Sequence, residues 1–355
     1  MSSNTTPRRT TPVDGALDLR AALIERIGGY MSAHAIGVAA ELGLADLIGS
    51  GSRTSEELAD DTQAHEPSLR RLLRLLVSDG IMTEPRPGQF MLTEIGSQLR
   101  ADSPGSLKNF ARMFTDPLFL TSWQGLRHTV SSGERAFDHA YGSGVYAYLA
   151  GHPETSALFN EAMSEESRHS AAQLAAEFDF PDSGTLVDLG GGDGTLLTAI
   201  LRSRPGLRGV VFDSASGVAE APATLSKAGL ADRCVVQAGD FFDSVPGGGD
   251  LYLIKSVFQD WGDDESRAIL RTCRAHMPES ATLLIVGTVL PETADTSTPV
   301  MFLTDANMMV TTGGRERTES EFRAMLEETG FTVRSVGDRD AGPLSVIQAV
   351  PAVAS

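Results

Sequence analysis

Cysteine is scarce. Among 355 residues only Cys234 and Cys273 occur, far apart and outside any metal-ligand spacing. Such a pair builds neither a disulfide framework nor a zinc site, which predicts a metal-free protein of a reducing cytoplasm. Positive charge is short as well: 29 Lys and Arg against 47 Asp and Glu leave a formal charge of −18. A general nucleic-acid partner needs the opposite balance, because phosphates are bound by basic surface. No apolar run approaches the roughly 18 residues of a membrane span, and the segment Met1–Pro12 lacks the apolar core of a secretion signal. Residues 1–13 read as a disordered tail. What remains is ordinary for a soluble globular protein, 41% hydrophobic and 21% charged, and long enough for two domains with their own cores.

From Leu17 to Leu47 apolar residues recur at helical spacing, with Ala39, Leu42, Leu44 and Leu47 forming one stripe. Thr54-Ser-Glu-Glu-Leu58 has the form of a capping box, in which Thr54 caps a helix and Glu57 reaches back. A second helix over Glu66–Val77, a break at Gly80, and two extended runs at 81–83 and 89–93 joined by Pro-Arg-Pro-Gly complete a winged-helix pattern over residues 14–103. Arg70, Arg71 and Arg74 on the second helix suit either a DNA reader or the solvated face of a dimerisation or lid module. The acid-rich surroundings favour the latter. Residues 104–180 read as helical and rich in Met and aromatics such as Trp123, Tyr146, Phe159 and Met163; these form core or wall a planar substrate's pocket.

From Gly184 onward strands and helices alternate, with strands expected at 185–189, 208–213, 233–238, 250–255, 281–288, 331–337 and 344–350. This alternation means a mainly parallel sheet whose ligands sit at the strands' carboxyl ends. Asp188, Asp213, Asp240 and the segment from Lys255 all fall at such ends.

The most informative stretch is Leu186-Val-Asp-Leu-Gly-Gly-Gly-Asp-Gly-Thr-Leu-Leu197, an apolar strand that passes through a glycine-rich turn into a helix. A dinucleotide fingerprint needs Gly at its first, third and sixth positions, but counting from Gly190 puts Thr195 at the sixth. Asp188, just before the turn, repels a pyrophosphate and attracts an ammonium or sulfonium. S-adenosylmethionine carries both and no phosphate. Asp213, at the end of the next strand, stands where a carboxylate accepts ribose hydroxyls.

Together these segments resemble the S-adenosylmethionine-dependent small-molecule O-methyltransferases of plant phenolics and bacterial natural products. The resemblance spans nearly the whole chain. Its carriers, in the family's order, are Val187-Asp-Leu-Gly-Gly-Gly192, Val211-Phe-Asp213, Gly239-Asp-Phe-Phe242, Lys255-Ser-Val-Phe-Gln-Asp-Trp261 and Gly313-Gly-Arg-Glu-Arg-Thr318. It implies an α/β fold: a Rossmann-like seven-stranded methyltransferase domain over residues 181–355, preceded by the mainly α winged-helix dimerisation domain and, over 104–180, a helical connector. It also implies a homodimer, S-adenosylmethionine as cofactor and a small apolar or aromatic substrate. By the same resemblance Gly190 and Gly192 contact the methionine portion beside Asp188, Asp213 the ribose, and Asp240 and Phe241 the adenine. Ser167, Lys255 and Trp261 match further cofactor contacts, and Met163, Asp305, Asn307 and Met308 face the substrate.

The sequence departs from the family at the base. Phenol-methylating members place a His between the Lys and the Trp, where this chain has Gln259; one of two Glu residues that orient that His is replaced by Gly287, while the second is retained as Glu316. An amide cannot take a proton near neutral pH, so Gln259 is expected to position the acceptor and Asp260 or Asp305 to stand in as carboxylate. General-base help is worth about 10²–10⁴ in rate, whereas orientation supplies roughly 7–11 kcal/mol. Methyl transfer to oxygen therefore survives as the leading expectation. The alternative is an enzyme that binds S-adenosylmethionine without moving its methyl, using the sulfonium as a fixed charge. Of the histidines, His139 and His169 fall in the helical region expected to line the pocket.

Overall fold

The computed structural model describes residues 16–337 and 345–353, in two compact units that meet in the sequence at Thr115 and Asp116. The tail expected at 1–13 lies outside the described residues, as does residue 344, the first of the last expected strand.

In the first unit α1 (Ala16–Glu41) and α2 (Leu44–Ile48) precede a short β1 (Arg53–Thr54), α3 (Ser55–Thr62), α4 (Glu66–Ser78), a hairpin of β2 (Met82–Arg86) and β3 (Gln89–Leu92), and α5 (Lys108–Phe114). The capping box forms as its residues dictate: the Glu57 amide donates to Thr54 Oγ1 at 3.2 Å, and the Thr54 amide to Glu57 Oε2 at 2.8 Å. Leu69, Leu73 and Leu76 of α4 enter a core with Leu44, Leu58 and Phe90, as their three- and four-residue spacing requires. The opposite face of α4 is ion-paired within the unit. Arg70 reaches Glu56 at 2.6 Å and Arg74 reaches Glu84 at 3.1 Å, so two of the three arginines are already engaged by carboxylates.

The second unit opens with α6 (Pro117–Gln124), α7 (Leu126–Ser132), α8 (Ala136–Tyr141), α9 (Val145–Ala150) and the long α10 (Pro153–Glu177). The sheet then follows in alternation: β4 (Ser183–Leu189), α11 (Thr195–Ser203), β5 (Gly206–Asp213), α12 (Ala221–Lys227), β6 (Cys234–Ala238), β7 (Leu251–Lys255), α13 (Asp263–His276) and β8 (Thr282–Gly287). A small parallel pair, β9 (Val289–Leu290) and β10 (Arg317–Thr318), brackets α14 (Pro299–Thr311). The chain ends with α15 (Glu319–Glu328), β11 (Phe331–Val336) and β12 (Ser345–Pro351).

All seven expected strands join one sheet in the order β11-β12-β8-β7-β4-β5-β6. Five of them run parallel from β8 to β6, and β12 is antiparallel to both its neighbours. Central β4 is buried from Leu186 to Leu189 because both sheet faces are covered. One face packs with Ile269, Leu270, Phe322 and Leu326 from α13 and α15, the other with Leu197, Ile200 and Leu201 of α11. The order reverses direction at β4, so the carboxyl ends of β4, β5 and β7 border the crevice in which open α/β sheets bind ligands.

Candidate active site

At the end of β4 the chain turns on three glycines in left-handed backbone, Gly190 (φ 75°), Gly192 (φ 52°) and Gly194 (φ 76°). The Gly190 and Gly191 amides donate to the Phe212 carbonyl at 2.8 and 3.2 Å, pinning the turn to the end of β5. A Cβ on Gly190 would meet Val257 Cγ2 at 2.7 Å, whereas beyond Gly192 there is open space. Asp213 closes β5. One carboxylate oxygen accepts the Gly192 amide at 3.0 Å and the other the Ser214 amide at 2.6 Å. The Gly239 amide donates to the Asp213 carbonyl at 2.9 Å, which sets Asp240 beside Asp213 on adjacent strand ends. Asp240 itself accepts the Phe242 amide at 2.8 Å, and the rings of Phe241 and Phe242 meet Trp261 edge-on, with centroids 6.2 and 4.8 Å apart.

Asp188 is 1% exposed, and its Oδ2 has no hydrogen-bond partner. Burial, and then the negative charge of Asp213, push its carboxyl up to about 7, against the pull of Lys255. The Lys255 ammonium, itself buried, pairs with Glu166 of α10 at 3.0 Å, carrying that helix to the end of β7. Met163, Glu166 and Ser167 lie three and four residues apart and therefore share one face of α10. After Lys255, Ser256 adopts φ 55°, a left-handed conformation rare for a residue with a side chain, and its amide donates to the Val286 carbonyl at 2.8 Å.

This arrangement fits the cofactor expected there. An orphaned buried carboxylate oxygen on Asp188 awaits a donor such as the cofactor's ammonium, open space lies over Gly192, and the Asp213 carboxylate is fixed at the end of β5 by two amides. The aromatic group of Phe241 and Trp261 provides ring surface next to them.

The acceptor side is assembled differently. Gln259 and Asp260 lie in a single 3₁₀ turn, Phe258–Asp260. Tyr146 of α9 donates its hydroxyl to Asp260 Oδ2 at 2.7 Å. Burial raises the Asp260 carboxyl to about 6, moderated by that hydrogen bond. Although Tyr146 is 46% exposed as a residue, the enclosure of its hydroxyl beside Asp260 lifts the phenol well above its usual value, with help from the charges of Asp260 and Asp213. On α14, Asp305 and Met308 share a face three residues apart. The Asp305 carboxylate accepts the Glu316 amide at 2.8 Å, and Asn307 accepts the Trp123 indole N–H at 3.0 Å. Glu316 is 3% exposed with Oε1 unpartnered, and burial together with the charges of Asp305 and Asp260 drives it up to about 8.

Arg317 holds these pieces in register. It is 1% exposed; it donates to Asp263 Oδ1 at 3.0 and 2.8 Å, to the Phe258 carbonyl at 2.8 Å and to the Trp261 carbonyl at 2.9 Å. Sequence reasoning passed over Arg317, Tyr146 as a partner of Asp260, and Glu166. Only Arg317 sat inside a quoted motif, and nothing local marks an arginine as buried. The acids Asp263, Asp264 and Glu265 form the first turn of α13, which has Gly262 as its cap, and Arg317 takes the Asp263 carboxylate. His139 stacks on His128 with centroids 4.0 Å apart, and the side chain of His169 lies outside the described residues.

Known proteins converge on the same reading. The O-methyltransferase domain profile matches residues 123–332 and the O-methyltransferase dimerisation domain residues 24–102. The O-demethylpuromycin O-methyltransferase of Streptomyces alboniger is 43% identical over 93% of this chain and 88% of its own. The solved mitomycin 7-O-methyltransferase superposes with a TM-score of 0.85 at 38% identity, covering 95% of this chain and 100% of that one. A neocarzinostatin-pathway O-methyltransferase, solved with S-adenosylmethionine and 2-hydroxy-5-methyl naphthoic acid, superposes with a TM-score of 0.76 at 31% identity over 90% of this chain and 95% of that one. With a turn and strand ends that fit S-adenosylmethionine, and with both family domains in order, the chain belongs to the S-adenosylmethionine-dependent O-methyltransferases of natural-product biosynthesis.

Proposed function

We propose that this methyltransferase acts without a histidine base, and that Asp260 receives the acceptor's proton. The observation that carries this reading is the Tyr146–Asp260 hydrogen bond at 2.7 Å, next to a glutamine where relatives of the phenol-methylating kind keep their base. Bound S-adenosylmethionine supplies an electrophilic methyl on a sulfonium. Asp188 holds the cofactor's ammonium, the backbone at Gly190 and Gly192 its methionine portion, Asp213 the ribose hydroxyls, and Asp240 and Phe241 the adenine edge and face. Ser167 and Lys255 complete the contacts, and Trp261 backs the adenine.

Gln259 and Asn307 orient the acceptor hydroxyl, and Met163, Asp305 and Met308 flank the substrate. As the acceptor oxygen bonds to carbon, its proton passes to Asp260. A carboxyl near 6 is ionised at neutral pH yet basic enough to help. This arrangement suits an acidic acceptor such as an enol or a quinone-conjugated hydroxyl better than a simple phenol, whose proton is held to about pH 10.

The acceptor is proposed to be a small, largely apolar or aromatic intermediate. Dimerisation falls to residues 14–103, in keeping with the dimerisation profile over 24–102, acceptor contacts to helices of 104–180 and cofactor binding to 181–355. The face of α1 that exposes Leu23, Ile27, Tyr30 and Met31 is the proposed seam of a homodimer, since an uncovered apolar stripe needs a partner. Two unpaired cysteines support action in the cytoplasm.

Asp260→Asn provides the test. With the true acceptor, kcat is expected to fall by about 10²–10⁴ while affinity for S-adenosylhomocysteine is unchanged. A variant as fast as the parent would remove Asp260 from the chemistry. S-adenosylhomocysteine must also appear in step with product, or no methyl is being moved.

A further inference from the structure

The methyl-transfer reading leaves one part of the site unexplained, the buried acid Glu316. Resting on that reading, we propose that the niche beside Gly287 receives a protonated amine carried by the acceptor molecule, with Glu316 as its counter-ion.

The parallel pairing of β9 with β10 sets Val289 opposite Arg317, which brings Glu316 alongside Thr288 and next to Gly287. A Cβ built on Gly287 meets no heavy atom within 4 Å, so there is room for a ligand group where other residues would carry a side chain. Glu316, 3% exposed, presents an oxygen with no hydrogen-bond partner. A buried acceptor left bare is costly. The groups facing it are Asp305 from α14, Asp260 from the turn after β7, the neighbouring Thr288 hydroxyl and the charge of Arg317.

Among the described residues, the cations around this acid already have other carboxylate partners. The Arg317 donors are taken by Asp263 and by the carbonyls of Phe258 and Trp261. Lys255 is held by Glu166, and Arg315 by Asp263 and Glu321. Without a ligand the acid is relieved only by keeping its proton, in line with its value of about 8. An ammonium supplies the missing N–H donor and the missing charge together, and in a buried site such a pair gains more than in water. A protonated nitrogen has no lone pair with which to attack a methyl group. The amine is therefore a handle that orients the molecule, and the methyl goes to an oxygen elsewhere on it.

The test uses the full-length protein saturated with S-adenosylhomocysteine and three probes that differ in charge: 1-naphthylmethylamine, 1-naphthylmethanol and 1-naphthoate. Calorimetric titration at neutral pH is expected to show the amine binding about tenfold tighter than the alcohol, as for a hydrogen bond to a charged group, with the carboxylate weakest. Repeating the titration in buffers of different ionisation heat should show a proton released as the amine binds, because Glu316 ionises to receive it. Glu316→Gln should abolish both the preference and the proton release, and Gly287→Leu, which fills the niche, should weaken the amine alone. Equal affinities for the three probes, including no binding by any, would overturn the proposal, as would a preference that survives Glu316→Gln. Failure of S-adenosylhomocysteine to bind would instead sink the methyltransferase reading. Cofactor binding without an amine preference sinks only the handle.

Discussion

The two sides of the proposed active site are built from different materials. The cofactor side is mostly backbone: three left-handed glycines, amides pinned to the Phe212 carbonyl, and Asp213 locked by two amides. The acceptor side is mostly side chains brought together from α6, α9, α14 and the turn after β7, and it includes a buried carboxylate oxygen of Glu316 with no partner. A backbone cradle is set by local conformation and tolerates little change, which suits a ligand shared by a whole family. Side-chain contacts between distant segments can be exchanged one at a time, which suits an acceptor that differs from enzyme to enzyme. Replacement of the base by Gln259 and of its partner by Gly287 is such an exchange.

Substitutions on each side should separate these behaviours. The largest effect is expected from Asp213→Ala, which removes the proposed ribose acceptor and the anchor of the Gly192 amide. With hydrogen bonds to a charged group worth about 1.5–3 kcal/mol each, affinity for S-adenosylhomocysteine should fall about 10³-fold in calorimetric titration. A fall below tenfold would mean that the cradle does not depend on this carboxylate.

Next comes Arg317→Ala, which leaves Asp263 and the carbonyls of Phe258, Trp261 and Arg315 without their donors. Breaking a buried ion pair costs about 3–5 kcal/mol, here at the lower end because Asp263 is partly exposed. Thermal unfolding should shift down by roughly 6–12 °C. If Tm holds and only kcat drops, the arginine serves the chemistry rather than the frame.

The smallest effect is expected from Tyr146→Phe, read from a pH profile. As the proposed base, Asp260 would act only when ionised, so kcat should rise with pH through a value near 6. The tyrosine hydroxyl favours the ionised form, so its removal should move that rise to higher pH and leave the plateau within about tenfold of the parent. An unmoved profile would detach Tyr146 from the base.

Legibility in the sequence divides along the same line. Asp188, Asp213 and Asp240 could be placed because each ends an apolar run, and a strand's end is a local property. The capping box at Thr54 and Glu57 was legible for the same reason. Arg317 was not, since an arginine between a glutamate and a threonine gives no sign of being 1% exposed; its burial depends on Asp263, 54 residues away. Tyr146 was legible only as one aromatic among many, because its link to Asp260 spans 114 residues.

The sequence by itself determined what is bound. The strand, glycine turn and acids that fit S-adenosylmethionine lie in short segments whose conformation follows from glycine's freedom and from apolar runs. It also determined, through Gln259 and Gly287, that the usual base is missing. Only the tertiary structure decided what stands in that place, bringing together Tyr146 with Asp260, and Glu316 with Asp305 and an empty niche. Burial lifts the Asp260 carboxyl to about 6 and, with the charges of Asp305 and Asp260, the Glu316 carboxyl to about 8; neither burial nor proximity is written in the order of the residues.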